Sequence, residues 1–256
     1  SNKLYKNIMK VIAIIPVRLN SKRLPGKPLA DICGLPMVEH VRRRALKSNV
    51  FSDVVVATCD EEIYSTVFGY GGTVIMTSKE HQGCTDRIAE AAKLIDADII
   101  VNVQGDEPLL HPDMFKPLVQ PFKRNSNLCC TNLMSDVNNA EYKNSNVIKV
   151  TIDKNSNALY FSREPIPNDN SKNSIPTKKY KQLGIIAFRK SFLIEFSELN
   201  PTPLEIAESV DMLRALEHGY SVKMVLTSYD SIGVDTEIDL IKAKQMMELD
   251  EFYPYD

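Results

Sequence analysis

Four cations follow a single apolar run. Val11–Val17 is continuous hydrophobic sequence, and Arg18, Lys22, Arg23 and Lys27 come directly after it, with the hydroxyl of Ser21 among them. Pro25, Gly26 and Pro28 bend the chain there. Such a cluster at the carboxyl end of a first strand is suited to gripping a polyphosphate. A solvated basic loop is the plainer reading. The stretch is neither a Walker loop nor a GxGxxG turn, which argues against kinases, ATPases and dehydrogenases. A second group is acidic. In Val103-Gln104-Gly105-Asp106-Glu107-Pro108, Asp106 offers the hard oxygen that magnesium needs to bridge phosphate oxygens, or it is an acidic cap on a strand-end turn. In Gly233-Val234-Asp235-Thr236, Asp235 alone reads as a helix cap. Beside Asp106 it becomes a candidate second magnesium carboxylate.

Three further segments carry usable chemistry. His81-Gln82-Gly83-Cys84-Thr85-Asp86-Arg87 opens a helix. Its small residues let a base approach the backbone and its amides favour negative charge, while Thr85 as an ordinary N-cap explains it equally. Arg163, in Tyr160–Pro167, can hold a carboxylate bidentately or pair with Glu164. The amide of Gln182 can meet sugar hydroxyls or face solvent. His40 and His218 read as surface residues. The sequence offers no Ser/His/Asp or Cys/His nucleophile pattern.

The elements that must position these groups alternate. Val11–Val17, Val54–Thr58, Thr73–Met76 and Ile99–Val103 read as strands, separated by helices over Pro36–Lys47, from Asp60 as cap through Phe68, and over Thr85–Ile95. This is the grammar of a doubly wound parallel sheet. After Phe122 it changes. Cys129–Met134, Val147–Ile152 and Ala158–Ser162 look like strands without intervening helices, and Asn168 to Lys181 like a polar surface loop. Gly184–Arg189 is a strand, Leu204–Glu217 one amphipathic helix, Val222–Leu226 a last strand and Glu237–Leu249 a closing helix. No linker separates two units. Residues 1–256 read as a single domain, with about 125–200 an antiparallel elaboration and a plausible dimer surface.

Composition narrows the class. The chain has 256 residues, 43% hydrophobic and 25% charged, with net charge −2 and pI about 6.1. That suits a globular protein and argues against nucleic acid or anionic membrane as partner. No apolar run approaches the roughly 20 residues of a membrane span, and the start SNKLYKNIMK lacks the apolar stretch of a signal peptide. Five scattered cysteines with no CxxC pair argue against zinc and for a reducing cytoplasm.

In this order, RLPGKPLADICGLPMVEHV, HQGCTDRIAEA, VNVQGDEPL, ALYFSREPIP, LGIIAFR and GVDTEIDL resemble the 3-deoxy-D-manno-octulosonate (Kdo) cytidylyltransferases, from Val11 to about Met247. The resemblance implies an α/β, three-layer nucleotide-diphospho-sugar transferase-like fold with a mostly parallel mixed sheet, and usually a homodimer. It implies magnesium-dependent activation of an acidic sugar by CTP for lipopolysaccharide or capsule. By position, Arg18, Ser21, Arg23 and Lys27 fall where the family grips triphosphate, and Thr85, Asp86 and Arg87 in its nucleotide-binding segment. Arg18, Arg23, Lys27 and Asp106 are the implied catalytic set. Asp106 and Asp235 match its magnesium carboxylates, and Gln104, Arg163 and Gln182 its sugar pocket.

The family commonly has Ser-Gly where Gly83-Cys84 stand, His at Gln182, Tyr at Phe188, and Glu-Gln at Asp211-Met212. The last three changes place Gln182, Phe188 and Asp211 near the sugar. The reading is therefore CMP transfer from CTP to a 2-keto-3-deoxy acid, with Kdo first. An 8-amino-Kdo, a nonulosonate or a phosphonate is an alternative acceptor, and a silent nucleotide-binding regulator a rival of another class.

Overall fold

The computed structural model describes residues 9–81, 83–168 and 177–255. Gln82 of the helix-opening motif and residues 169–176 of the polar segment lie outside the described residues. In chain order the elements are β1 (Val11–Val17), β2 (Asp31–Ile32), β3 (Leu35–Pro36), α1 (Met37–Leu46), β4 (Asp53–Thr58), α2 (Glu61–Gly69), β5 (Thr73–Met76), α3 (Cys84–Lys93) and β6 (Ile99–Asn102). There follow α4 (Phe115–Arg124), β7 (Cys130–Asp136), α5 (Asn139–Lys143), β8 (Lys149–Ile152), β9 (Ala158–Ser162), β10 (Tyr180–Arg189), α6 (Lys190–Glu198), α7 (Pro203–Glu208), α8 (Met212–Glu217), β11 (Val222–Leu226) and α9 (Glu237–Met247).

The main sheet runs β11-β7-β10-β6-β1-β4-β5. β1 pairs parallel with β4 and β6, β4 with β5, and β11 with β7. β10 is the antiparallel member, against both β6 and β7. The fold is thus mixed α/β with a mostly parallel central sheet, and β2 and β3 form a small antiparallel sheet of their own. Every residue of β1 is buried, because helices cover both faces: Ile12 and Ile14 pack with α3 and α6, Val11, Ala13 and Ile15 with α1 and α4. A proline in so central a strand is unusual. Pro16 lies beyond the last β6 pairing, Ile14↔Asn102, so its missing N–H falls outside that ladder.

The antiparallel segment joins the main sheet through β10, whose first residues Tyr180 and Lys181 pair with β8, which in turn pairs with β9. Three sequence expectations are corrected here. A short helix, α5, stands between β7 and β8, capped by Asn138 and Glu141. The helix expected over Leu204–Glu217 is two helices, broken at Ser209, whose φ is 54°. The break is fixed from outside: Arg163 donates through Nε to the Glu208 carbonyl (2.7 Å) and through Nη2 to the Ser209 carbonyl (3.2 Å). His40 is not at the surface. It is fully buried, with Nε2 2.7 Å from the Ile32 carbonyl and Nδ1 2.9 Å from the Tyr255 hydroxyl.

Candidate functional site

Order reverses around β1. The chain moves from β1 to β4 and β5 on one side, then returns to place β6 on the other. Open α/β sheets leave a crevice at such a point, outside the carboxyl ends of the strands. Here it is a cleft of about 540 Å³ whose walls include Arg18, Ser21, Lys22, Arg23 and Lys27 after β1, Gln104, Gly105 and Asp106 after β6, and Asp235 before α9. Residues separated by more than 200 positions thus meet in one cleft.

Lys27 is its electrostatic centre. Its ammonium donates to Asp106 (3.0 Å) and to Asp235 (3.1 Å), and Arg23 Nη2 lies 3.1 Å from the other oxygen of Asp235. Burial alone would lower the Lys27 pKa, but the charges and hydrogen bonds of Asp106 and Asp235 outweigh it and hold it above the ordinary value. Next to Asp106, burial and that neighbouring charge push the Glu107 carboxyl up to about 7. Gly105 permits the turn: a Cβ there would stand 2.2 Å from Val17 Cγ1, so the Asp106 loop can lie directly on the end of β1. On the other side, the Asp60 carboxylate accepts the Leu19 N–H at 2.7 Å. The expected cap of α2 makes no capping bond through its side chain. It pins the start of the cationic loop instead, a role with no local signal in sequence.

A second pocket, about 340 Å³, has Gln182, Ser209 and Asp211 among its walls. The two are linked twice. Gln104 Nε2 donates to the Gly184 carbonyl (3.0 Å), and Thr85, next to Cys84 in the first cleft, donates through its hydroxyl to Asp211 (2.8 Å). Burial raises the Asp211 pKa, and the Thr85 hydrogen bond works against that rise. The Cys84 thiol lines the first cleft, where desolvation, then the charges of Asp106 and Asp211, push its pKa up.

The remaining predicted residues are placed as follows. Asp86 is half-buried in the first turn of α3. Arg87 is buried, with Nη1 donating to the Thr77 hydroxyl and to the Ser78 carbonyl. It ties β5 to α3 from behind the cleft wall. Arg163 does not pair with Glu164. Besides Glu208 and Ser209, it donates through Nη1 to the Ser145 carbonyl (3.1 Å), so that among the described residues one N–H on each terminal nitrogen has no acceptor. Phe188 corrects an expectation. It is fully buried and packs its ring on Phe192 and Phe196 of α6, so it lines neither pocket. It shares a strand with Gln182 but lies six residues on, about 20 Å of extended chain.

Among the described residues no cluster of three or more His, Cys, Asp or Glu side chains forms a metal cage, and no helix is long and apolar enough to cross a membrane.

Fold and cleft together define a nucleotidyltransferase, and residues 12–227 match the family model described as cytidylyltransferase. A cytidylyltransferase from Leptospira borgpetersenii shares the fold, with TM-score 0.65 at 19% identity over 95% of this chain and 88% of that one. Closer relatives narrow the class. A 3-deoxy-manno-octulosonate cytidylyltransferase of Geobacter metallireducens is 45% identical over 93% of this chain and 98% of its own length. One of Fusobacterium nucleatum is 46% identical over 91% and 94%. A solved CMP:2-keto-3-deoxy-manno-octonic acid synthetase, complexed with CTP, superposes with TM-score 0.89 at 36% identity, over 94% of this chain and 99% of that one. The chain belongs to the 3-deoxy-manno-octulosonate cytidylyltransferase family.

Proposed function

We propose that this chain transfers CMP from CTP to the anomeric hydroxyl of Kdo, releasing pyrophosphate, as a cytoplasmic homodimer of single-domain chains. The observation that carries this reading is the Lys27 ammonium held between Asp106 and Asp235, in the cleft that Arg18, Ser21 and Arg23 also wall. Family membership supports CTP as the nucleotide and Kdo as the acceptor. In the reaction the sugar hydroxyl attacks the α-phosphorus, the bond to the β-phosphate oxygen breaks, and the hydroxyl proton leaves to solvent. Arg18, Arg23 and Lys27 supply fixed positive charge where the leaving pyrophosphate gathers negative charge.

The donor set fits magnesium, since two hard carboxylates converge on one cationic position. Asp106 and Asp235 would hold the ion, which when bound neutralises triphosphate charge and polarises the α-phosphate. Thr85, Asp86 and Arg87 are proposed to shape the nucleotide side of the cleft, Thr85 and Arg87 through the α3 contacts described. Gln104, Gln182, Arg163 and Asp211 are proposed to receive the acidic sugar. The Arg163 N–H groups that have no acceptor among the described residues suit the sugar carboxylate.

Pyrophosphate release tests the reading. Release is expected with CTP, magnesium and Kdo together and with no two of them. Tight CTP binding without release for Kdo, 8-amino-Kdo, nonulosonates or phosphonates would instead identify a nucleotide-binding regulator.

A further inference from the structure

The second pocket holds a polar device that the cytidylyl-transfer reading does not by itself require. Asn132 is completely buried on β7. Its Nδ2 faces carbonyl oxygens: Leu183 at 2.8 Å, Ile185 at 3.1 Å and Leu133 at 3.2 Å. Carbonyls only accept, so this end of the amide must be the NH2 group. The carbonyl end, Oδ1, is thereby fixed toward Gln182, and Gln182 Nε2 donates to it at 2.7 Å. The second amide has no choice either. Its NH2 group meets an acceptor, so its oxygen, Oε1, is the end left for the pocket. No donor among the described residues pairs with Oε1.

The backbone carries the same pattern. The β7–β10 register shifts between Gln182 and Ile186, and the carbonyls of Leu183 and Ile185, inside that irregularity, are the two that Asn132 satisfies best. Gly184, between them, gives its carbonyl to Gln104 of the triphosphate cleft. Gln182 is further held by its own N–H, which donates to the Ile148 carbonyl at 2.8 Å. One buried amide therefore sets the shape of the bulge and the polarity of the side chain it presents.

We infer that Asn132 is a positioning residue that locks Gln182 with its oxygen toward the acceptor sugar, so that the pocket selects a substrate bearing a hydrogen-bond donor, a hydroxyl or an ammonium, at that point. This rests on the proposed function, since it assigns a polarity to the sugar side of the same site. An imidazole there could donate or accept according to its tautomer and charge. A locked amide only accepts, and does so at every pH near neutrality.

The test uses the whole protein and a set of Kdo analogues in which one hydroxyl at a time is replaced by fluorine or by an amine. In wild type, fluorine at one position should lower kcat/KM about tenfold, chiefly through KM, while an amine there is tolerated. Gln182→Leu should lose about the same factor for Kdo itself and erase the fluorine penalty at that position. Asn132→Ser frees the Gln182 amide to turn, so it should narrow the difference between fluoro and hydroxy acceptors with CTP KM unchanged. A fluorine penalty that persists at every position in Gln182→Leu would overturn the assignment, and this arm stands even if Asn132→Ser does not fold. Tolerance of the hydroxyl with rejection of the amine would restrict the donor to a neutral group and overturn the ammonium half. Absence of transfer to any acid would overturn the functional reading and this inference with it. Normal transfer without coupling to Gln182 would overturn the inference alone.

Discussion

At the scale of single residues, Lys27 shows what the site spends its charge on. One ammonium satisfies two carboxylates from distant parts of the chain, so Asp106 and Asp235 are held together before any ligand arrives. With Asp106 and Asp235 as the proposed magnesium carboxylates, Asp106→Asn or Asp235→Asn should remove nearly all turnover, because each would take away half of the charge offered to the ion, while the thermal transition stays sharp. Near-wild-type rates in either variant would cancel that carboxylate's role. Phe188 makes the opposite case. The ring is sealed among Phe192 and Phe196, so Phe188→Tyr buries a hydroxyl without an evident partner and should cost about 1–3 kcal/mol of stability by denaturant titration. The ratio of kcat/KM between candidate sugars should not move. Sequence placed the cations of the first loop well, because they are contiguous and follow an unmistakable buried strand. Phe188 was set near the sugar by resemblance to the family, and a departure from a family's pattern does not say whether the side chain faces a pocket or the core, where Phe188 is buried.

At the scale of elements, distant contacts decide what local pattern cannot. The apolar periodicity of Leu204–Glu217 is real, yet Arg163, some 45 residues earlier, anchors carbonyls at Glu208 and Ser209 and splits it into α7 and α8. α4 carries Pro117 and Pro121 in its own sequence, which hides a helix from propensity. Arg163→Ala should raise the acceptor KM roughly ten- to hundredfold by loss of charge-assisted hydrogen bonds, with CTP affinity by calorimetry little changed. Weakened CTP binding would place Arg163 on the nucleotide side.

The C-terminal residues are the second case. Asp250 pairs with buried Arg44 at 2.6 Å and 2.9 Å, and Tyr255 covers His40. Burial, then the charges of Arg44 and Arg43, depress the His40 pKa against the pull of the Ile32 carbonyl. A depressed pKa means that folding excludes the proton. This contribution is complete above the ordinary value of 6.5 and is lost as pH falls from there toward the folded-state value. Between about pH 7.5 and about pH 5.5 the melting temperature of wild type should therefore fall more than that of His40→Gln. Equal slopes would mean that His40 takes up its proton without disturbing the fold.

At the scale of the whole molecule, the strand order explains why one cleft collects everything. Parallel strands deliver their carboxyl ends to one edge, and the reversal at β1 opens that edge for a ligand. β10, the antiparallel strand beside β6, carries Gln182 and Gly184 from the added β8–β9 segment to the side of Gln104. The parallel half was legible from alternating apolar runs. The joining of the antiparallel segment was not, because nothing local in Tyr180–Arg189 says that its two ends pair with different strands. In the proposed reaction the anomeric oxygen of the acid sugar attacks the α-phosphorus of CTP. The most direct measurement follows a heavy-oxygen label placed in the anomeric hydroxyl of Kdo, read by phosphorus NMR of the product. The label is expected in the bridge between sugar and CMP phosphorus, with unlabelled pyrophosphate released in equal amount. Label in the pyrophosphate, or CTP consumed with no labelled CMP-sugar formed, would contradict it.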